Sequence, residues 1–337
     1  RTGQEPFSTD EMWLSVIGSV FSPTWKGAVY SEKENALLIK TISKYNLETS
    51  KEDSSLIQLD DMSSMFSNFA INIDSNTIKL GLPLIDDKLR ITTSMLVCLL
   101  AAPSAGKSTV SFGVLNHLSK QNLKSFFFSL DMGAPLVYQR LIQRLTGDSG
   151  DDIFENYKKQ TPRIKEYETK LKEEYKNVKF CFQSGLTVDS IREALLREKE
   201  ATGEVPKLVL VDYLECVDSQ FSDPTQSKGY VAKRLKDIAN EFNTCVLLLV
   251  QPAKISGDPS NELTSYTQIK GSSVIQEAAS VILTLSRPGF DTKDPSNDKY
   301  VTFTVVKNRM GSLGAFDLSW DGLTGKIGLL MIDELEE

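Results

Sequence analysis

The sequence contains few of the side chains that hold metals or act as nucleophiles. Its 337 residues include one histidine, His117, and four cysteines that lie far apart in the chain. A single histidine argues against histidine-based metal sites and catalytic triads, and the cysteines have none of the spacings of zinc ligands. His117 stands beside apolar residues of a helical pattern, so we predict that it packs rather than catalyses. We also predict that the cysteines are reduced thiols of a cytoplasmic protein.

Long apolar runs and an excess of positive charge are also absent. No apolar run approaches the ~20 residues that a membrane-spanning helix needs, and no signal-peptide pattern opens the chain, so we predict no membrane contact. The net charge of −7 argues against broad, non-specific binding of nucleic acid, but it leaves room for a local basic loop. The chain begins at Arg1 rather than at a methionine, as a fragment of a longer protein would.

The first 75 residues differ in pattern from the rest and predict a helical segment with a linker. Capping boxes at residues 8–11 and 31–34 each precede apolar residues at helical spacing. The apolar face of the first helix fits two interpretations: packing on a core of its own, or docking on a neighbouring subunit. Residues 51–68 are mostly polar and predict a linker with a short helix. We therefore expect a helical segment over residues 1–75 and a second domain over residues 76–337.

From about residue 71 the sequence alternates between strand and helix patterns, which is typical of an α/β protein with a mostly parallel sheet. The strand candidates are residues 96–100, 125–130, 178–182, 208–211, 246–250, 281–285 and 300–306. Most are apolar throughout, as expected of strands covered on both faces. Helical stripes such as Val188, Ile191 and Leu195 fall between them. Residues 314–330 alternate and predict a hairpin at the edge of the sheet.

The most informative segment follows the first of these strands and reads Ala-Ala-Pro-Ser-Ala-Gly-Lys-Ser-Thr over residues 101–109. A strand, a tight loop and a helix N-terminus in this order offer several backbone N–H groups, a lysine and a hydroxyl to a triphosphate with Mg²⁺. The usual pattern, G-x-x-x-x-G-K-[ST], has glycine where this chain has Ala101. The alternative is a plain helix N-terminus with an exposed lysine, which the apolar strand and amphipathic helix on either side disfavour. We predict a nucleoside triphosphate site formed by Ala102, Pro103, Ser104, Ala105, Gly106, Lys107, Ser108 and Thr109.

Polar side chains follow several predicted strands at the end where a parallel sheet binds its ligands. Asp212 fits a carboxylate that holds the water shell of Mg²⁺ opposite Ser108. Asp131 fits a carboxylate that polarises the attacking water, although a structural cap fits it nearly as well. Gln251 is placed to sense the γ-phosphate.

Lys307 and Arg309 lie two residues apart on an extended segment, so their side chains are expected to point the same way. One interpretation is that they supply cations to phosphates across a subunit interface. The other is that they are solvated charges at a strand end, and the residues alone favour this second interpretation.

Four short segments then occur in a recognisable order. They are Ala-x-Pro-Ser-x-Gly-Lys over residues 101–107, Ser-Leu-Asp-Met over 129–132, Val-Asp-Tyr-Leu-Glu over 211–215 and Lys-Asn-Arg-Met-Gly over 307–311. Together they resemble the RecA-like motor domain of the DnaB-type replicative DNA helicases, phage versions included, from about residue 78 to residue 330. The phosphate loop of that family also begins with alanine, so Ala101 agrees with it.

The resemblance implies an ATP-hydrolysing helicase that translocates on single-stranded DNA as a hexameric ring. ATP and Mg²⁺ would lie between subunits, a primase or a helicase loader would be a further partner, and a phage protein would work in the host cytoplasm. The implied site residues are Lys107 and Ser108 for phosphate and Mg²⁺, Asp131 for catalysis, Arg140 for ordering the site, Asp212 as the Walker B carboxylate, Gln251 as the sensor, and Lys307 and Arg309 for the ATP of a neighbour.

By the same resemblance, DNA contacts come from two loops, here residues 218–229 and 252–273. The second loop ends in Lys270, Gly271, Ser272 and Ser273. One cation and several backbone donors hold a phosphate chain without reading bases. The alternative is a flexible polar loop, which the composition of residues 252–273 suits equally well.

Two residues depart from the family pattern. Asp131 replaces a glutamate, which puts the rate of hydrolysis in question but not the binding of nucleotide, and Glu215 replaces a glutamine. Two other functions therefore stay open. One is a RecA-like recombinase that forms filaments on DNA, and the other is a nucleotide-binding assembly factor with weakened hydrolysis.

Overall fold

A computed structural model describes residues 58–251, 273–287 and 299–330 of the chain. The chain divides into two units between Asn72 and Ile73, and each unit is described by itself. The helices predicted over residues 8–42 lie outside the described residues.

The described part of the first unit is one helix, α1 (Leu59–Ile71). It extends beyond the predicted linker of residues 51–68. A capping box starts the helix, because the Asp61 carboxylate accepts a hydrogen bond from the backbone N–H of Gln58 at 3.2 Å. Six large apolar side chains are exposed along it, namely Leu59, Met62, Met65, Phe66, Phe69 and Ile71.

The second unit is built on a sheet of nine strands, as counted over the described residues. They are β1 (Leu96–Ala101), β2 (Ser125–Ser129), β3 (Val178–Cys181), β4 (Leu208–Asp212), β5 (Cys245–Val250), β6 (Val281–Ser286), β7 (Tyr300–Asn308), β8 (Gly314–Trp320) and β9 (Ile327–Leu329). Their order is β3-β2-β4-β5-β1-β6-β7-β8-β9. The first six in that order are parallel, and β7, β8 and β9 pair antiparallel. The predicted α/β fold with a mostly parallel sheet is confirmed.

Helices connect the strands. They are α2 (Ile73–Asn76), α3 (Ile85–Lys88), α4 (Lys107–Lys120), α5 (Ala134–Thr146), α6 (Gly150–Lys158), α7 (Arg163–Glu174), α8 (Val188–Thr202), α9 (Pro224–Glu241) and α10 (Ser273–Ala278), with a 3-10 turn at Leu214–Cys216. Local signals start several of them: the side chains of Ser149, Thr187 and Asp223 accept hydrogen bonds from the first turns of α6, α8 and α9.

The core lies in two layers, one on each face of the sheet. In β1, Val97 and Leu99 pack into one layer, while Leu96, Cys98 and Leu100 pack into the other. Helices α4, α5, α6 and α7 cover the first layer, and α8, α9 and α10 cover the second. The inner parallel strands β1, β4 and β5 are buried over their whole length, and because they are covered on both faces their sequences are mostly apolar rather than alternating. The edge strand β3 is only partly buried and carries the exposed Lys179.

Several details differ from the sequence-based expectations. Strand β7 continues to Asn308, so Lys307 belongs to the strand instead of following it. Residues 224–229, predicted as part of a DNA-contacting loop, form the first turns of α9, because Asp223 and Pro224 are a strong helix start. No described helix has the length and apolar character needed to cross a membrane.

The single histidine packs as predicted. His117, in α4, is half-buried and lies over Gly81, where an added Cβ atom would come within 2.6 Å of the imidazole Cγ. Its Nε2 shares a hydrogen bond of 2.6 Å with the side-chain amide of Gln121. All four cysteines are free thiols, and Cys98 and Cys245 are buried.

Candidate nucleotide-binding site

The phosphate loop joins the buried strand β1 to helix α4. Ala101 is the last residue of β1, is fully buried and pairs with Leu285 of β6. Alanine suits this position, because the backbone there is still an ordinary strand. Gly106 directly precedes α4 with a φ of 99°, and a Cβ atom there would lie 2.9 Å from Cη2 of Trp320. The second glycine of the usual motif is therefore required here, while the first is not.

The ammonium group of Lys107 is folded over this loop. Its Nζ donates hydrogen bonds to the carbonyl oxygens of Ala101 at 2.6 Å and Ala102 at 3.1 Å. Only 7% of the residue is exposed. Burial lowers the pKa of Lys107, and the negative charges of Asp212, Glu215 and Asp131 act in the opposite direction. The buried ammonium group of Lys107 is therefore bound only to neutral carbonyl oxygens in this loop. An anionic ligand would offer it stronger hydrogen-bond acceptors.

Ser108 and Asp212 are in direct contact across the sheet edge. The Ser108 hydroxyl donates to Oδ2 of Asp212 at 2.7 Å. Asp212 ends β4 and is 2% exposed. Burial raises the pKa of Asp212 to about 6, although the hydrogen bond from Ser108 lowers it. A hydroxyl and a buried carboxylate are oxygen donors suited to Mg²⁺.

A cavity of about 520 Å³ lies over the loop and collects most of the predicted residues. The predicted residues that line it are Pro103, Ser104, Gly106, Lys107, Ser108, Thr109, Asp131, Arg140, Asp212 and Gln251. They converge because β1, β2, β4 and β5 are parallel and all end at this edge. Ala102 and Ala105 contribute to the loop but do not line the cavity.

The cavity also has a wall that the sequence analysis did not identify. Phe112, Met132, Gln143, Tyr213, Arg287, Trp320 and residues 322–325 line it as well. The turn between β8 and β9 reaches the phosphate-loop helix so closely that a Cβ atom on Gly325 would lie 1.8 Å from Cγ2 of Thr109. Arg144 holds this turn by donating to the Gly325 carbonyl at 2.7 Å. The alternating pattern of residues 314–330 predicted the hairpin, but no local signal places its turn over the loop.

The side chain of Trp320 joins this wall to the rest of the cavity. It is 6% exposed, and the guanidinium of Arg287 lies 5.0 Å from its ring centroid. Its indole Nε1 is a buried donor with no hydrogen-bond acceptor among the described residues.

Lys307 and Arg309 do not line the cavity of their own chain. The ammonium of Lys307 donates to the carbonyl of Gln276, and the Arg309 guanidinium donates to the carbonyl of Glu277 at 2.6 Å. Both carbonyls lie at the C-terminal end of α10, where positive charge is favourable. The two side chains thus contact neighbouring carbonyl groups in the last turn of α10.

The predicted DNA-contacting residues are largely beyond the described part of the chain. Lys270, Gly271 and Ser272 lie outside it, and Ser273 is the first residue of α10. Within residues 58–251, 273–287 and 299–330, no group of three or more histidine, cysteine, aspartate or glutamate side chains is arranged to hold a metal ion.

Comparison with known proteins identifies the family to which this chain belongs. The DnaB-like helicase C-terminal domain matches residues 78–328. A probable plasmid replicative DNA helicase of Chlamydia trachomatis serovar L2 is 26% identical over 251 residues, which are 73% of this chain and 53% of that protein. The replicative DNA helicase DnaB of Geobacillus stearothermophilus is 23% identical over 235 residues, which are 67% of this chain and 50% of that protein. The chain thus spans about half the length of the curated relatives it matches.

Solved structures agree on the fold. One solved ATPase domain superposes with a TM-score of 0.72 at 19% identity, covering 81% of this chain and 99% of that one. A DnaB-like replicative helicase, described together with its interactions with primase, superposes with a TM-score of 0.70 at 18% identity, covering 90% of this chain and 81% of that one. The RecA-like fold, the phosphate loop and the matched residues together show that this chain belongs to the family of DnaB-like helicase C-terminal domains.

Proposed function

We propose that this chain is the ATP-hydrolysing motor of a replicative-type DNA helicase. The observation that carries the proposal is the convergence of Lys107, Ser108, Asp131, Asp212 and Gln251 on one cavity at the carboxyl ends of the parallel strands. Membership of the DnaB-like family supports the same function.

The residues around the loop suit ATP with Mg²⁺. Lys107 would leave the carbonyls of Ala101 and Ala102 for the β- and γ-phosphates, and the N-terminus of α4 would donate backbone N–H groups to them. Ser108 and Asp212 would hold the Mg²⁺ ion, which supplies charge neutralisation at the phosphates. The two oxygen atoms lie 2.7 Å apart, a separation that suits neighbouring ligands of one ion. Arg140, which lines the same cavity, would help to order the phosphates.

Asp131 would act on the water that attacks the γ-phosphate. It follows β2, lines the cavity and is exposed to it. A carboxylate in this position accepts a proton or orients the water, which accelerates such reactions about 10²- to 10⁴-fold. Gln251, at the end of β5, would respond to the presence of the γ-phosphate.

Lys307 and Arg309 are proposed to act on the ATP of a neighbouring subunit. They stand outside the cavity of their own chain, where α10 holds them together through the carbonyls of Gln276 and Glu277. A second copy that brings its cavity to this edge would complete the site with an arginine finger. Such an arrangement repeats around a ring, and we propose a hexamer in which α1 docks on a neighbour through its exposed apolar face.

Single-stranded DNA is the proposed track of this motor, with Lys270, Gly271, Ser272 and Ser273 contacting its phosphates. Primase is a candidate partner, since one structural neighbour is a DnaB-like replicative helicase described with its interactions with primase. A helicase loader is another candidate. We propose a cytoplasmic location, in the host cell if the protein is encoded by a phage.

The deciding experiment measures ATP turnover with and without single-stranded DNA, followed by strand unwinding. The wild-type protein should hydrolyse ATP faster with DNA and should unwind a forked duplex, and Lys107→Ala should abolish both while remaining folded. Lys120→Ala is the matched control, because Lys120 lies on the same helix and pairs with Glu174 at 2.8 Å on the outside. Wild-type turnover in Lys107→Ala would refute the nucleotide site, and strand exchange without unwinding would indicate a recombinase.

A further inference from the structure

Glu215 is a nearly buried carboxylate beside the nucleotide site that the proposed function leaves without a role. It lies in the 3-10 turn Leu214–Cys216, which begins two residues after Asp212. Both of its carboxylate oxygens are shielded from solvent, and neither accepts a well-aligned hydrogen bond from the described residues. The ammonium of Lys228, in α9, lies 2.9 Å from Oε1, and the side chains of Lys228 and Glu215 are 23% and 21% exposed. Among the described residues, Lys228 is the cation that pairs with this carboxylate, and a shielded carboxylate depends on such a partner.

The negative charge of Glu215 acts on Lys107 in the nucleotide site. It raises the pKa of Lys107, together with Asp212 and Asp131. Glu215 itself does not line the cavity, whereas its neighbours Asp212 and Tyr213 do. Any effect of Glu215 on a bound nucleotide would therefore pass through those neighbours.

Lys228 is a firmly anchored partner. Its helix begins at Asp223, whose carboxylate accepts a hydrogen bond from the backbone N–H of Gln226 at 2.7 Å. The same helix buries Val231 and Leu235 completely in the core. In addition, the hydroxyl of Ser219 donates to the hydroxyl of Ser227 at 2.8 Å, which ties the intervening loop to the helix. The ion pair therefore connects a short turn to a rigid helix.

Resting on the proposed ATPase function, we propose that Glu215 is a positioning residue for hydrolysis. Its ion pair with Lys228 fixes the turn that follows β4, and this turn sets the places of Asp212 and Tyr213 in the cavity. The pair acts in the transition state, where small errors of placement slow the reaction, and it makes no contact with the nucleotide.

The two partners differ in what their loss leaves behind. Glu215→Gln nearly preserves the shape of the side chain and leaves a lysine that reaches water. Lys228→Met leaves a shielded carboxylate with no cation, which is the more harmful change. In the double variant the buried charge is gone, so its turnover should return to the level of Glu215→Gln.

The test is steady-state ATP hydrolysis by the full chain, with kcat and KM determined separately at a temperature well below every thermal midpoint. Glu215→Gln should lower kcat about 10-fold with little change in KM, a loss typical of a misplaced catalytic group. Lys228→Met should lose more, the double variant should match Glu215→Gln, and Lys228→Arg should keep most of the wild-type kcat. Glu241→Gln is the control, since it breaks the Arg192–Glu241 pair of 2.5 Å on the outer surface and should leave kcat unchanged.

Each remaining outcome counts against the proposal. A wild-type kcat in Glu215→Gln and Lys228→Met would overturn the positioning role and leave the ATPase function intact. Losses that multiply in the double variant would show that the two residues act independently, which also overturns it. Absence of turnover in the wild-type protein would overturn the ATPase function and this role together.

Discussion

At the scale of single residues, the phosphate loop shows why one of its positions requires glycine and another accepts alanine. Ala101 is the end of a buried strand, where a methyl group adds apolar contact. Gly106 has a positive φ of 99° and lies against Trp320. A residue larger than glycine would be strained at position 106, whereas alanine is free of strain at position 101. This steric difference explains why the loop needs only the second glycine of the usual motif.

Gly106→Ala should weaken nucleotide binding and destabilise the fold by about 1–3 kcal/mol, the range for a residue forced into a sparsely populated backbone region. The added methyl group also presses on Trp320. Isothermal titration with an ATP analogue and urea unfolding measure the two effects. Gly203→Ala is the control, because Gly203 has a φ of 74° at the end of α8 with no atom within 4 Å of the added Cβ. It should lose stability but keep its affinity, and an equal loss of affinity would contradict the argument.

Asp131 is the second residue whose chemistry decides the mechanism. Its side chain is one methylene shorter than the glutamate of the family pattern, yet it lines the cavity with Lys107 and Asp212. We expect that the backbone after β2 has compensated for the length. Asp131→Ala should then lower single-turnover hydrolysis about 10²-fold or more, while ATP affinity is kept.

Asp131→Glu completes this experiment. If the backbone has compensated, the longer side chain should bring no gain in turnover. A higher turnover in Asp131→Glu would show that the natural aspartate is too short. Full turnover in Asp131→Ala would move the role to another residue.

At the scale of elements, helices α5, α6 and α7 are joined by one polar cluster, to which α6 contributes Asn156 by donating to the hydroxyl of Tyr167. Asp148, just after α5, accepts two hydrogen bonds of 3.1 Å from the Arg163 guanidinium of α7. The hydroxyl of Tyr167 also donates to Asp148, at 2.5 Å. The hydrogen bonds from Arg163 hold the pKa of the Asp148 carboxyl below its usual value. This cluster sets the position of α5, which carries Arg140 and Gln143 to the cavity.

The cluster predicts a loss of stability in acid. The unfolded carboxyl titrates near a pKa of about 3.9, and the folded one titrates lower, so the unfolded state binds more protons as the pH falls. The contribution of Asp148 is therefore complete above its unfolded pKa and is lost as the pH falls through the folded pKa. Urea midpoints of the wild type and Asp148→Asn should differ at neutral pH, and the difference should shrink below about pH 4. Asn177→Ala is the control, because it removes the hydrogen bond from the Asn177 side-chain amide to the Ser119 carbonyl without removing an ionisable group, so its difference from the wild type should stay constant with pH. A difference between wild type and Asp148→Asn that stays constant with pH would refute the role of the charge.

At the scale of the whole molecule, the candidate nucleotide cavity and the side chains of Lys307 and Arg309 lie at different places on the chain. The cavity opens at the carboxyl ends of β1, β2, β4 and β5, whereas Lys307 and Arg309 are held at the end of α10. Under the proposed function, a second copy of the chain would bring its cavity to the two cations of the first.

Mixing experiments test this arrangement. Arg309→Ala should bind nucleotide but hydrolyse it slowly, with a loss on the order of 10³ or more. Lys107→Ala should be inactive as well. Mixed oligomers of the two variants should regain part of the activity, because some interfaces pair an intact loop with an intact finger. Failure at every mixing ratio, with mixed oligomers shown by native mass spectrometry, would indicate a site complete within one chain. Thermal unfolding of Arg309→Ala is a necessary control, since Arg309 also caps α10.

Features that depend on local patterns could be predicted from the amino-acid sequence alone. Apolar runs predicted the parallel strands, because strands covered on both faces must be apolar throughout. The order of strand, loop and helix around Lys107 predicted the phosphate loop, because a helix N-terminus creates its anion site locally. Asp131, Asp212 and Gln251 were predicted as site residues, since parallel strands bring their carboxyl ends to one edge.

The meeting of distant residues at this site is a property of the folded chain. Trp320 and the turn with Gly325 reach the phosphate loop because the antiparallel strands β7, β8 and β9 extend the sheet beyond β6 and fold back at its edge. Glu215 meets Lys228, and Lys307 meets α10, through the packing of α9 and α10 on the sheet. Such contacts join residues that are far apart in sequence or on different elements. They depend on strand order and helix packing, which local periodicity does not encode.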